Sequence, residues 1–193
     1  GSMEMAEEID PERWHVILNR FFEILTEGVH RFEGTVNQYT GDGIMATFPS
    51  AARAVAAAVA MQQATRAYND AHPETAFNIA VGLNAGEPVA EDADVFGSAV
   101  QMAARTCAQA HGGQILATNV VRELVFGKGA LFEDTGAAEL KGFSGSIHLY
   151  EVGVGAEGID EGDWGERGID FRWFAAGAAA LAAVIAAGVV AFV

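Results

Sequence analysis

Cysteine and basic residues are scarce in this sequence. Cys107 is the one cysteine among 193 residues, which excludes an intrachain disulfide and a cysteine-rich zinc site. Only 11 Lys and Arg stand against 26 Asp and Glu, so the formal net charge is −15. A chain this acidic repels the phosphate backbone of nucleic acids. We therefore expect no general nucleic-acid binding.

The histidines lack the spacing of metal ligands, and we interpret all five as non-catalytic: His15, His30, His72, His111 and His148. The first residues are acidic, with neither the basic nor the apolar region of a signal peptide. Apolar residues, in contrast, are plentiful. They make up 51% of the chain, and mean hydropathy is +0.19. That content is enough for a hydrophobic core and argues against disorder.

A run without any polar side chain closes the sequence, at residues 174–193. Twenty helical residues reach about 30 Å, the thickness of the hydrocarbon core of a bilayer. We therefore predict a transmembrane helix over residues 172–193, with a buried alanine-rich helix as the alternative. Arg167 and Arg172 precede the run, and the positive-inside rule then places the preceding domain in the cytoplasm.

An acidic, glycine-rich linker over residues 153–171 separates that run from a globular domain over residues 1–152. Asp10 and Pro11 are typical of a helix start, and Gly34 is typical of its end. The alternation of helices and strands predicts an α/β or α+β fold with helices packed on a sheet. The periodicities predict strands over 35–39, 44–48, 77–83, 114–118 and two or three within 131–152, and helices over 50–71, 95–110 and 119–126.

Gly41-Asp42-Gly43 lies between two of these strands and predicts a hairpin turn. An acid between two glycines projects a carboxylate where the backbone allows close approach of a ligand. The alternative is an ordinary turn, since Asp and Gly are favoured there for conformational reasons.

Gln101 and Arg105 are four residues apart in a predicted helix and therefore share one face. An amide and a guanidinium on one face are suited to binding a phosphate or a developing anion. The alternative is a solvated polar stripe with Asp94 as the helix cap. Cys107 stands among small apolar residues and is interpreted as a packed core residue. Lys141, one of two lysines, is either a phosphate anchor or an ordinary surface residue.

Three blocks together resemble the catalytic domain of class III adenylate/guanylate cyclases, in their order and their spacing. They are GTVNQYTGDGIMATF (34–48), VGLNAGEPVAEDADVFGSAVQMAARTCAQAHGGQIL (81–116) and ELKGF through LYEV (139–152). The resemblance implies a ferredoxin-like domain with a mostly antiparallel central sheet and packed helices. It also implies a homodimer or heterodimer with active sites at the interface. Such sites convert a nucleoside triphosphate to the 3′,5′-cyclic monophosphate and pyrophosphate with two divalent cations, Mg²⁺ or Mn²⁺.

The resemblance assigns roles to individual residues of this sequence. Asp42 matches a metal-binding Asp, which holds the cation against the triphosphate and the attacking 3′-oxygen. Asp94 matches the residue that accepts a hydrogen bond from the adenine amino group. Arg105 matches the Arg that stabilises charge on the α-phosphate in the transition state. Lys141 matches a Lys that contacts the triphosphate.

Three features depart from the family pattern. Gln101 replaces a transition-state Asn and keeps the amide at a longer reach. Gln38 replaces a base-recognising Lys, which leaves the choice of purine open. The family also begins with a strand that carries a second metal-binding Asp, and we expect the chain that starts at Gly1 to lack that strand. With a single carboxylate we expect weak binding of two cations.

Two functions are compatible with these residues. The first is a membrane-tethered cyclase that makes cyclic AMP from ATP, with this piece alone weak or inactive. The second is a catalytically inactive, membrane-anchored cyclase-homology module for dimerisation or nucleotide sensing. The set of Asp42, Asp94, Arg105 and Lys141 favours the first, because a purely structural domain has no physical need for it.

Overall fold

The computed structural model describes residues 10–86, 89–91, 94–153 and 186–192, and at 89–91, 94–96 and 186–192 it describes the backbone alone. The strand that the family resemblance implies ahead of the first helix, and the linker after Gly153, therefore lie outside the described residues.

Two long helices begin within one residue of the starts that the sequence predicts, and the cap predicted at Asp10 is confirmed. Helix α1 spans Pro11–Arg31, and the Asp10 side chain accepts a hydrogen bond from a backbone amide of its first turn. Helix α2 spans Ala51–Ala71, and Ser50 caps it in the same way. Such caps satisfy amides that have no partner inside the helix. Both helices turn apolar faces to one core.

The strands form two sheets, and their bounds are β1 (Thr35–Thr40), β2 (Gly43–Phe48), β3 (Ala80–Gly86), β4 (Val89–Glu91), β5 (Asp94–Phe96), β6 (Ile115–Thr118), β7 (Phe132–Glu139), β8 (Ser146–Val152) and β9 (Ala186–Phe192). The main sheet has the order β1-β2-β9-β3-β6-β8-β7, and β4 pairs with β5 separately. All neighbouring strands of the main sheet are antiparallel except β3 and β6. The predicted α+β architecture with a mostly antiparallel sheet is confirmed.

Helices cover both faces of the main sheet. On one face lie α1, α2 and the short helix α4 (Asn119–Leu124), over a core that includes Phe21 and Phe48. A 3₁₀ turn at Pro73–Thr75 follows α2. On the other face lies α3 (Ser98–Cys107), which packs mainly on β3.

On the side of β3 that faces α3, Gly82 and Gly86 have no side chains, and this lets the helix approach closely. A Cβ on Gly82 would lie 2.2 Å from the backbone nitrogen of Cys107 and 2.6 Å from the carbonyl oxygen of Ala103. A Cβ on Gly86 would lie 2.9 Å from that of Ala99. Glycine at both positions is therefore a packing requirement of the contact between β3 and α3.

Two predicted boundaries are wrong. The helix predicted over 95–110 begins at Ser98, because residues 94–96 pair with β4 and Gly97 adopts φ 127°. The cap is therefore Gly97 rather than Asp94. The strand predicted over 77–83 runs from Ala80 to Gly86, with the small residues facing α3.

The helix predicted over 172–193 is wrong for the part of it that the structure describes. Residues 186–192 form β9, paired antiparallel with β2 on one side and with β3 on the other. Residues 172–185 lie outside the described part. Among the helices that the structure describes, none is both long enough and apolar enough to cross a membrane.

Candidate functional site

The predicted hairpin is present, and its loop consists of Gly41 and Asp42 between the last strand pair, Thr40 and Gly43. Asp42 is partly buried. Neither glycine has a positive φ, and a Cβ on Gly41 would meet no atom within 4 Å. Backbone conformation and packing therefore do not require glycine at position 41. Space for a ligand beside the Asp42 carboxylate is a requirement that would explain it.

Gln38 lies on β1, on the ascending side of the same hairpin. It is exposed and pairs with Met45 directly after an irregularity in the strand register that begins at Val36. Such bulges bend a strand and redirect its side chains.

Gln101 and Arg105 are exposed on α3, as predicted, while Ala103, Thr106 and Cys107 form its buried side. The thiol of Cys107 is 2% exposed and donates to the carbonyl oxygen of Ala80 at 3.5 Å. The prediction that Cys107 is a packed residue is confirmed. The packing of one side leaves the amide and the guanidinium on the other side open to a ligand.

The strand register places the hairpin and the end of α3 at the same end of the sheet. Gly43 of β2 pairs with Phe192 of β9, which pairs with Ala80 of β3. Two strand spacings of about 4.8 Å place β2 about 10 Å from β3. Met45 and Ala80 share a cluster with Cys107 at the last turn of α3. The hairpin that bears Asp42 and the helix turn that bears Arg105 therefore lie at the same end of the sheet.

Lys141 lies at the opposite end and the opposite edge of the same sheet. It is exposed in the turn between β7 and β8, next to the buried Leu140. Four strand spacings separate β2 from β8, about 19 Å across the sheet. The pairs of Leu116 with Glu151 and of Thr118 with Leu149 show that this turn is at the Gly86 end of β3. A single chain does not bring Lys141 to Asp42.

Asp94 begins β5, three residues before Gly97, and its backbone alone is described. The structure thus places this predicted base-reading residue just ahead of the first turn of α3 but does not test its contacts. None of the other five predicted site residues uses its side chain in a hydrogen bond or ion pair within the described part of the chain: Gln38, Asp42, Gln101, Arg105 and Lys141.

The donors available for a divalent cation are few. No group of three or more His, Cys, Asp or Glu side chains comes together in the described ranges. Asp42 contributes one carboxylate. The hydroxyl of Thr40, two residues earlier, is buried without a hydrogen-bond partner in the described part. These donors fit one cation held jointly with oxygens of a ligand, and they do not by themselves fit a two-cation site.

A separate open groove of about 890 Å³ lies between α1 and β1, and is lined by Phe22, Glu23, Thr26, Glu27, His30, Arg31 and Tyr39. It contains none of the predicted site residues. Sequence reasoning also passed over two buried polar side chains beneath α3, Asn84 and Thr118. The available signal was an asparagine inside an otherwise apolar strand.

Residues 1–153 match the family model described as the adenylate and guanylate cyclase catalytic domain. A Rhizobium meliloti protein provisionally named adenylate cyclase 3 is 37% identical over 152 residues, which is 78% of this chain and 26% of that protein. The Mycobacterium tuberculosis protein Rv2212, of uncharacterised function, is 30% identical over 151 residues, 77% of this chain and 37% of that protein. The chain thus spans well under half the length of these relatives.

Solved structures give the same match. The adenylyl cyclase CyaB from P. aeruginosa superposes with a TM-score of 0.65 at 22% identity, over 79% of this chain and 88% of that one. An adenylate/guanylate cyclase/hydrolase from Silicibacter pomeroyi superposes with a TM-score of 0.64 at 29% identity, over 70% of this chain and 83% of that one. The first likeness concerns the fold alone.

Proposed function

Since the chain belongs to the adenylate and guanylate cyclase catalytic domain family, we propose that it is the catalytic domain of a signalling enzyme, a phosphorus–oxygen lyase that converts ATP to cyclic AMP and pyrophosphate. The observation that carries the proposal is the set of unengaged side chains on the hairpin, on α3 and in the turn between β7 and β8. Five polar or charged groups that the fold does not use for itself are available to a nucleotide.

The proposed reaction is one intramolecular displacement. The 3′-oxygen of the ribose attacks the α-phosphorus and gives its proton to water, while the bond from the α-phosphorus to the bridging oxygen breaks. Pyrophosphate leaves with that oxygen. Arg105 stabilises the negative charge that develops on the α-phosphate, and the Gln101 amide donates a hydrogen bond to the same group. Positioning and charge neutralisation account for most of the catalysis in such phosphoryl chemistry.

The remaining residues bind and orient the substrate. Lys141 neutralises charge on the triphosphate, and Asp94 with Gln38 reads the purine edge. Asp42 holds a divalent cation, Mg²⁺ or Mn²⁺, together with phosphate oxygens. When bound, the cation supplies positive charge near the triphosphate. The preference for adenine over guanine rests on Asp94, whose carboxylate would accept a hydrogen bond from the 6-amino group of adenine, where guanine carries a carbonyl oxygen that cannot donate.

The active unit is proposed to be a dimer of cyclase domains, with two copies of this chain or with a related one. Asp42 and Lys141 lie at opposite ends and edges of the sheet, about 19 Å apart across the strands alone. A lysine side chain cannot bridge that separation. A site that contains both residues therefore needs Asp42 from one copy and Lys141 from the other.

The test is an assay of cyclic nucleotide formation by the full-length protein, with ATP and GTP, each with Mn²⁺ and with Mg²⁺. We expect cyclic AMP from ATP and less cyclic GMP from GTP. Residues 1–193 alone are expected to be weak or inactive, because no group of three or more potential metal ligands comes together in the described ranges. The absence of any cyclic product from the full-length protein, under every activating condition, contradicts the proposal.

An inactive nucleotide-binding module is the second candidate. It is favoured by one observation, the single carboxylate in the described hairpin region. The two candidates differ in turnover rather than in binding. Saturable binding of ATP by the full-length protein, without cyclic AMP in the same preparation, is the result expected of the module.

We also propose that the domain lies on the cytoplasmic side of a membrane in a state in which residues 186–192 leave their place between β2 and β3, so that residues 172–193 span the bilayer as a helix instead. The support is the apolar run and the two arginines before it. The measurement is fractionation of cells that express the protein with and without residues 172–193. Retention of the truncated protein in the membrane fraction contradicts this anchor.

A further inference from the structure

We propose that Asn84 and Thr118 are positioning residues of the active site, because they fix helix α3 along strand β3 and so set where Gln101 and Arg105 stand. The inference rests on the proposed function for its catalytic consequence. The statement that the two residues fix α3 does not depend on the proposed function, because it rests only on their hydrogen bonds.

Asn84 and Thr118 form a chain of two hydrogen bonds beneath the helix, which we call the relay. The Thr118 hydroxyl donates to Asn84 Oδ1 at 2.8 Å, and Asn84 Nδ2 donates to the backbone carbonyl oxygen of Ala99 at 3.0 Å. A carbonyl can only accept, so the amide nitrogen must face Ala99 and the amide oxygen must face the hydroxyl. The relay therefore has one orientation, from β6 through β3 to the first turn of α3.

Both side chains are buried, at 6% exposure for Asn84 and 3% for Thr118. Buried polar groups are costly unless they are hydrogen-bonded, and an apolar residue would fill the same space without that requirement. General packing thus does not explain an amide and a hydroxyl at these positions. A directional contact to the helix does.

Among the described side chains, the other contacts of α3 are not directional. They consist of close approaches of small residues, with Gly82 under Ala103 and Gly86 under Ala99, and of apolar packing around Val100 and Cys107. Such surfaces allow close approach, but they offer few protruding groups that oppose sliding. At the far end of α3, the thiol of Cys107 contributes a weak, 3.5 Å contact. The amide of Asn84 is the strong directional tie.

A small slide of α3 matters because both exposed groups are on it. Gln101 follows Ala99 by two residues and Arg105 by six. A misplacement of catalytic groups by about 1 Å can cost about 100-fold in rate. Loss of the relay should therefore lower kcat, while the substrate contacts made by the hairpin and by Lys141 remain.

The experiment compares Asn84→Leu and Thr118→Val with Gln62→Met in the full-length protein. Gln62 is a matched control: it is 1% exposed and donates to the carbonyl of Ile79, just before β3, but from the α2 side. We expect both relay variants to lose about 10- to 100-fold in kcat with KM changed less than about threefold. Gln62→Met should keep kcat, and Thr118→Ser, which retains the hydroxyl, should restore it.

A second readout does not depend on turnover. Cys107 is on the buried side of the last turn of α3 and is 2% exposed, so a thiol reagent reaches it only when that turn lifts from β3. Labelling, followed by mass spectrometry of the peptide that contains Cys107, should accelerate in the relay variants and not in Gln62→Met. An inactive wild-type protein would count against the proposed function, and faster labelling would still support the relay. Unchanged labelling together with unchanged kcat in both relay variants overturns the inference.

Discussion

At the scale of single residues, Asp42, Arg105 and Lys141 share a charge without a partner in the described part of the chain; Arg105 and Lys141 are exposed and Asp42 is partly buried. In the described part of the chain, none of the three makes a hydrogen bond or an ion pair. Surface charges of this kind contribute little to stability. Their removal is therefore expected to change activity without unfolding the domain, so that substitutions at these positions report on activity rather than on stability.

Arg105→Ala should lower kcat by at least about 100-fold, because it removes the group proposed to stabilise charge on the α-phosphate. Nucleotide affinity should remain largely intact, since the interaction is made mainly in the transition state. Steady-state kinetics and a separate binding titration give the two quantities. Arg66→Ala, at an exposed position on α2, is the control for loss of a surface arginine. Equal loss of affinity and turnover would contradict the assigned role.

Gly41→Ala separates a structural glycine from a functional one. The position has open space around a Cβ and no positive φ. Thermal unfolding should therefore show stability unchanged or raised by up to about 1 kcal/mol. Activity should fall if a nucleotide approaches the backbone beside Asp42. Wild-type activity in this variant would show that the nucleotide does not approach the backbone at the hairpin tip.

At the scale of elements, Gly82 gives the opposite prediction. Gly82→Ala places a Cβ against backbone atoms of Cys107 and Ala103, which cannot move without displacing α3. Overpacking of this kind costs about 1–3 kcal/mol, so chemical denaturation should show lower stability together with lower activity. Ala85→Gly, on the opposite face of β3, is a control in the same strand. Unchanged stability in Gly82→Ala would show that α3 docks less tightly than described.

The elements also show which sequence signals are reliable. The caps at Asp10 and Ser50 and the turn at Gly41-Asp42 were predictable, because each depends on local chemistry. The start of α3 was not, because residues 94–96 pair with β4 and this pairing overrides helix propensity. The apolar end was misassigned for a related reason: its length favours a membrane helix, whereas pairing with β2 and β3 sets the conformation of residues 186–192.

The candidate site was predictable as a set of residue types and not as an arrangement. Local patterns and the family resemblance select Asp42, Gln101, Arg105 and Lys141. They cannot show that Lys141 and Asp42 are at opposite ends of the sheet, which follows from strand order and register. The hydrogen bond from the amide of Asn84 to α3 was equally unpredictable, since the two partners of this amide are 15 and 34 residues away along the chain.

At the scale of the whole molecule, the separation of Asp42 from Lys141 predicts complementation between copies. Asp42→Ala and Lys141→Ala should each have low activity alone. Mixed dimers that contain one of each should recover one intact site, because the two defects then fall in the same second site. The measurement is cyclic AMP formation by co-expressed, differently tagged variants after tandem purification. Activity no higher than that of the separate variants would contradict a site shared between copies.

The position of β9 between β2 and β3 has a consequence for how the end of the chain can be used. With residues 186–192 in the sheet, the longest continuous part of the predicted span that is left over has fourteen residues, 172–185. Even if all of them were helical they would reach about 21 Å, against a hydrocarbon thickness of about 30 Å. Completing the sheet and crossing a bilayer are therefore mutually exclusive uses of the same seven residues.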